Sequence, residues 1–162
     1  FAEAAGDRLS REELLSMVFL LFAAGYETVA NFINSSMLTL LNNLDQMRLL
    51  RDNLDDPVLV SSAVEELLRY NSPSYMTLPS WAFEDVVLGG KQIQCGDSVH
   101  AVLHAANRDP AIFDQPNVFD ISRQPNKHLA FSLGIHYCLG APLARLEGEI
   151  ALTTLLRWLP DW

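Results

Sequence analysis

From Ser10 to Leu41 the chain leaves itself few folding options. Leu14 to Tyr26 is apolar nearly all round, broken only by Ser16. Ser10 followed by Glu13 makes a capping-box pattern just ahead of that run, so a long helix is expected to start near Ser10 or Arg11 and continue to about Leu41. A helix that is apolar on every face for several turns belongs in the middle of a fold rather than on its surface. The run stops at Glu27, short of the ~20 apolar residues needed to cross a bilayer. The expectation is therefore a buried helix and no membrane span.

The middle of this helix reads A-A-G-Y-E-T over residues 23–28. Glycine in a helix interior costs about 1 kcal/mol relative to alanine, and a glutamate among apolar neighbours costs more unless it is paired. Departures of this kind gather at functional sites. Thr28 can return its hydroxyl to the carbonyl of Ala24 one turn earlier, which loosens the helical ladder there and leaves a small polar notch. The plainer alternative is a bent helix with a solvated Glu27 and a core Thr28.

A second stretch, Lys127 to Arg145, reads K-H-L-A-F-S-L-G-I-H-Y-C-L-G-A-P-L-A-R. Pro142 fits a first helical turn, where its missing N–H would have had no partner. Cys138 thus falls at or just before a helix N-terminus, where unpaired amides and the helix dipole favour an anionic sulfur. Such a thiolate serves as a nucleophile, a redox centre or a metal ligand. His136 invites a Cys–His nucleophile pair, but a spacing of two residues does not bring its ring to the sulfur and no third, orienting residue is evident.

Between these stretches the pattern is mixed. A short helix is expected over about Asp45 to Asn53. Another begins at Asp56-Pro57, an N-cap followed by a first-turn proline, and ends before Asn71. Glu66 and Arg69 share one face of it, ordinarily a surface pair worth a few tenths of a kcal/mol. Strand-like runs follow: Tyr75 to Ala82, Val86 to Leu88, Lys91 to Ile93 across a Gly89-Gly90 turn, and Asp97 to Val102. Residues 105–123 read as irregular, with His100 and His104 structural, and a last helix runs from Ala141 to about Leu159. The fold class is mainly α with a small antiparallel β-sheet.

With 11 Lys and Arg against 20 Asp and Glu, a net charge of −9, the chain has no basic stripe to hold a nucleic acid. Cys95 and Cys138 form no C-x-x-C pair, which argues against a disulfide framework or a structural zinc site and suits a reducing cytoplasm. No signal peptide, internal repeat or low-complexity tract is evident, and a first residue of Phe1 points to a piece of something longer.

F-S-L-G-I-H-Y-C-L-G resembles the haem-binding loop of the cytochrome P-450 family, with Phe131, Gly134, His136, Cys138 and Gly140 on its fixed positions and Ser132 where glycine is commoner. A-G-x-E-T is similar to that family's oxygen-binding groove, and E-L-L-R to its E-x-x-R signature. The resemblance covers essentially the whole chain, residues 1–162, and implies the haem-binding part of a single, much longer domain whose N-terminal part and C-terminal tail are absent here. It implies haem b (iron protoporphyrin IX), with Cys138 as axial ligand and Ala24, Gly25, His128, Phe131, Gly134, His136, Gly140 and Ala144 against the cofactor, His128 holding a propionate. Glu27 and Thr28 would deliver protons for dioxygen activation. Glu66, Arg69 and Arg123 would form a structural lock, and Phe22, Tyr75, Met76 and Leu78 would face substrate. Ser80 replaces the arginine that commonly reaches a propionate.

The implied activity is monooxygenation of a C–H bond in a small apolar organic substrate, polyketide- or macrolide-like, with electrons from a ferredoxin and ferredoxin reductase. Lys127 and Arg145 would offer a basic patch near the loop. The alternative is a truncated, non-catalytic haem-binding or assembly module of the same fold. Nothing in the sequence fixes the oligomeric state.

Overall fold

In the computed structural model, which describes residues 8–159, helices dominate. Helix α1 (Arg11–Leu41) starts on the expected capping box: Glu13 N–H donates to the Ser10 hydroxyl at 3.2 Å and Ser10 N–H to the Glu13 carboxylate at 2.8 Å. Helix α2 (Leu44–Asp52) follows after a two-residue turn. Helix α3 (Pro57–Asn71) begins where the Asp56 carboxylate accepts from Val58 N–H and Leu59 N–H. Helix α5 (Ala141–Trp158) closes the described chain.

The core lies where the C-terminal half of α1 meets α2, α3 and α5. Phe32, Leu40, Met47, Leu50, Val64, Leu67, Leu152 and Leu156 meet there. Gly148 of α5 is required at the α1 crossing, because a Cβ there would stand 2.7 Å from the Phe32 ring and 3.5 Å from Val64. A close helix crossing of this kind needs a residue without a side chain.

The β region departs from the expected single sheet. Strands β1 (Ser80–Trp81) and β4 (Ser98–Val99) pair antiparallel, and β2 (Val86–Leu88) and β3 (Lys91–Ile93) form a separate hairpin. Gly89 and Gly90 have φ of 57° and 76°, which gives the two-residue turn whose twist suits a hairpin. Residues 75–79 do not join a sheet. They are held by isolated bonds instead, with Thr77 N–H donating to the Ala101 carbonyl at 3.0 Å and His104 N–H to the Tyr75 carbonyl at 3.0 Å. A one-turn helix α4 (Leu103–Ala106) runs into the start of the stretch expected to be irregular, and its next residue, Asn107, is fully buried.

A second departure concerns α1. Its first half was expected to be buried, yet residues 11–28 are exposed, with Phe19 73% and Phe22 70% accessible. Among the described residues, burial along α1 begins at Val29 and the fully buried side chains begin at Phe32. The apolar surface predicted to need cover is present; the elements that would cover it are not among the described residues. By length and composition α1 could cross a membrane. However, from Phe32 onward it packs into the protein core, and the 16 residues from Arg11 to Tyr26 rise only about 24 Å, less than a hydrocarbon core of about 30 Å.

Candidate cofactor site around Cys138

Two tight turns set the cysteine loop. Ser132 N–H donates to the Leu129 carbonyl at 2.9 Å, and Ser132 itself has φ 62°, in the left-handed region that favours glycine. That backbone explains why glycine suits the position better. Gly134, with φ 75°, opens a single 3-10 turn (Gly134–His136). Cys138 N–H then donates back to the Phe131 carbonyl at 3.0 Å, and Ala141 N–H to the Cys138 carbonyl at 3.2 Å. The loop is thereby closed on itself and joined to α5. Cys138 lies two residues before Gly140, the N-cap of α5.

The thiol is free and exposed. In the same loop Leu133, Ile135 and Leu139 are 75%, 97% and 86% accessible. His136 and Gly134 are exposed as well, Phe131 and Ala144 half-buried. No hydrogen bond joins His136 to Cys138 among the described residues, so a nucleophile pair has no support in the geometry.

Across the Phe32–Gly148 crossing, α1 presents Ala24, Gly25, Glu27 and Thr28, all exposed. The Thr28 hydroxyl donates to the Ala24 carbonyl at 2.6 Å, the back-bond expected from sequence, and α1 nonetheless runs unbroken through it. The rings of Phe22 and Tyr26 stack with centroids 6.0 Å apart. Tyr75, Met76 and Leu78 are exposed, and the Tyr75 ring leans on His104 at 4.8 Å. Ser80 lies exposed on β1.

Glu66 and Arg69 are not a surface pair: both are fully buried. Glu66 Oε1 accepts from Arg69 Nη2 at 2.8 Å, Asp120 N–H at 3.0 Å and Arg123 Nε at 3.2 Å, and Oε2 from Arg69 Nε at 2.7 Å and Asn126 Nδ2 at 3.1 Å. The remaining guanidinium donors go to the carbonyls of Asn107, Pro116 and Val118 from Arg69, and of Asp114, Gln115 and Val118 from Arg123. A buried carboxylate with this many donors and two cations holds the 107–126 segment to α3.

The neighbouring Glu65 points elsewhere. Arg145 grips it with Nε on Oε1 and Nη2 on Oε2 at 3.0 Å, and His128 Nε2 lies 2.9 Å from Oε2. Burial pushes the Glu65 carboxyl up, but the hydrogen bonds from His128 and Arg145 outweigh it and hold it at about 2. The same pairing with Glu65 raises Arg145. His128 is 3% exposed, with Nε2 on Glu65 and Nδ1 accepting from Ala130 N–H at 3.1 Å, so both ring nitrogens are engaged within the chain. Arg145 is neutralised by Glu65 rather than contributing a free charge beside Lys127.

Glu65 and Tyr137 escaped the sequence, because their partners lie 63, 80 and 8 residues away and no helical or strand period links them. Asn107 escaped it too: its Oδ1 accepts from Leu129 N–H at 2.7 Å, tying α4 to the start of the cysteine loop.

The donor set tests which metal group could sit here. Among the described residues no three His, Cys, Asp or Glu side chains gather to hold an ion. Of the two exposed thiols, Cys95 donates to the Phe83 carbonyl at 3.2 Å, whereas Cys138 sits in a loop whose Leu133, Ile135 and Leu139 are exposed. An exposed thiol in an apolar loop fits a macrocycle that brings its own ring ligands and takes one thiolate. The described fold thus carries an exposed cysteine two residues before the N-cap of its last helix and an exposed A-G-x-E-T on α1.

The chain belongs to the cytochrome P450 family, whose pattern it matches over residues 2–159. It is 47% identical over 160 residues to the polyketide biosynthesis cytochrome P450 PksS of Bacillus subtilis, covering 99% of this chain and 39% of that protein. It is also 47% identical over 156 residues to the cytochrome P450 monooxygenase PikC of Streptomyces venezuelae, 96% of this chain and 37% of that one. Among solved structures, PksS superposes with a TM-score of 0.92 over 99% of this chain and 40% of its own, at 46% identity. P450BioI bound to an acyl carrier protein carrying hexadec-9Z-enoic acid gives 0.89 over 96% and 40%, at 50% identity. The chain thus spans about two fifths of the relatives it matches.

Proposed function

We propose that residues 1–162 are the haem-binding part of a P450 monooxygenase domain that inserts one oxygen atom of O2 into a C–H bond of a small apolar organic substrate. The carrying observation is the accessible Cys138 sulfur on a loop closed by its own backbone bonds; the other exposed thiol, Cys95, donates to the Phe83 carbonyl at 3.2 Å, and no three metal-holding side chains gather among the described residues. Haem b, when bound, would supply the iron chemistry that activates dioxygen, with the Cys138 thiolate holding it and tuning its electron density.

The chain's own residues have the following roles. Cys138 would hold the iron, and the exposed Leu133, Ile135 and Leu139 of the same loop would give the cofactor apolar surface to cover. His136 and Gly140 lie against the cofactor edge with Phe131, Gly134 and Ala144. Ala24 and Gly25, both exposed and with the smallest side chains, leave a flat approach on α1. Glu27 relays protons from solvent, which its exposure allows, and Thr28 passes them on from its hydroxyl. Phe22, Tyr75, Met76 and Leu78 give the substrate its apolar contacts. Electrons come from a ferredoxin and its reductase in the cytoplasm. The substrate is of polyketide or macrolide type, in keeping with the names of PksS and PikC; a carrier-bound acyl chain, as on P450BioI, is the nearest variant.

The test is turnover of the haem-loaded protein with a ferredoxin system, labelled O2 and a macrolide or acyl substrate. Labelled hydroxylated product is expected, and Thr28→Ala lowers product formed per electron consumed. Tight haem with no product from any such substrate supports the non-catalytic module, to which Ser80 gives its one structural argument.

A further inference from the structure

Resting on the haem-thiolate reading, we infer that Glu65 and Arg145 form a clamp that positions the cysteine loop, separate from the Glu66 lock one residue along α3. The two carboxylates face different parts of the protein. Glu66 is fully enclosed and ties down residues 107–126, whereas Glu65 reaches α5 and the loop itself.

The connection from Glu65 to the sulfur is continuous. Arg145 presents a two-bond fork to Glu65, the geometry that gives guanidinium–carboxylate pairs their directional strength. Its third donor, Nη1, goes to the Tyr137 hydroxyl at 3.1 Å, and its guanidinium lies 4.6 Å from the centre of the Phe131 ring. Tyr137 precedes Cys138, and the Phe131 carbonyl accepts the Cys138 N–H at 3.0 Å. The Phe131 and Tyr137 rings also meet edge-on at 6.5 Å. Arg145 therefore grips the two residues between which the cysteine is hung.

His128 completes the clamp. It meets Glu65 at 2.9 Å and, through Nδ1, fixes the Ala130 amide just before Phe131. One carboxylate on α3 thus orients the entry to the loop through His128 and its exit through Arg145. A clamp of this sort acts on the sulfur through its backbone and neighbours, so these are positioning residues and not ligands.

The test uses the haem-loaded protein and reads the thiolate-type Soret band of the carbon-monoxide-bound reduced form, together with the iron reduction potential. Glu65→Gln and Arg145→Met are expected to lose the larger part of the thiolate band at unchanged haem stoichiometry, Arg145→Lys to recover part of it, and Tyr137→Phe to shift the potential alone. Asp55→Ala, which removes the exposed Arg157–Asp55 pair, is the control and leaves both readouts in place. If Glu65→Gln and Arg145→Met keep the full band and potential, the clamp is overturned. If either fails to fold, an unshifted potential in Tyr137→Phe overturns it in the same way. A wild-type protein with no thiolate band would instead sink the haem-thiolate reading itself.

Discussion

Glu66 and Glu65 sit side by side in the sequence and have unlike fates. Glu66 is fully buried among two arginines, an amide and a backbone N–H, so removing it leaves cations stranded away from water. Glu66→Ala is expected to destabilise the fold by roughly 3–5 kcal/mol, as measured by denaturant unfolding. Glu65 is part-exposed, faced by His128 and Arg145 with Tyr137 beyond, and its carboxyl is held at about 2 instead of the ordinary 4.5. A depressed carboxylate contributes stability above its unfolded pKa and loses it as pH falls toward its folded one. Acid unfolding between pH 4.5 and 2 should therefore be steeper in the wild type than in Glu65→Gln. On the proposed haem reading, an arginine at position 80 would add a charge-assisted hydrogen bond to a propionate, and Ser80→Arg should tighten haem binding about tenfold or more, measured by haem transfer to apomyoglobin.

At the scale of elements, α1, α3 and α5 were legible from capping boxes, first-turn prolines and apolar periodicity, and their ends fall within a residue or two of expectation. The β region was not. Residues 75–79 have strand-like composition, but their backbone bonds go singly to 101–104, a pairing that no local pattern encodes. Helix α4 is a single turn and too short to carry a period. Gly148 is the element-scale weak point: a methyl there would push into the Phe32 ring at 2.7 Å, and both helices are pinned by the core. Gly148→Ala is expected to cost about 1–3 kcal/mol in thermal or denaturant unfolding, despite alanine's better helix propensity.

For the whole molecule, the motifs were more legible than their setting. Motif spacing singled out Cys138, Thr28 and the Glu66–Arg69–Arg123 set, because each depends on residues near in sequence or on a pattern the family shares. Burial was not legible in the same way. The first half of α1 reads as a core helix, and it is apolar enough to be one, but exposure depends on what lies against it and not on its own composition. The contacts of His128 were hidden for a related reason: its partner Glu65 is 63 residues away, and only the folded chain shows both ring nitrogens in use. The central claim is an iron–sulfur bond at Cys138, and the absorption spectrum of the reduced, carbon-monoxide-bound protein tests it most directly. A thiolate-type Soret band in the wild type, lost in Cys138→Ser, is the predicted result; the same band surviving in Cys138→Ser would contradict it.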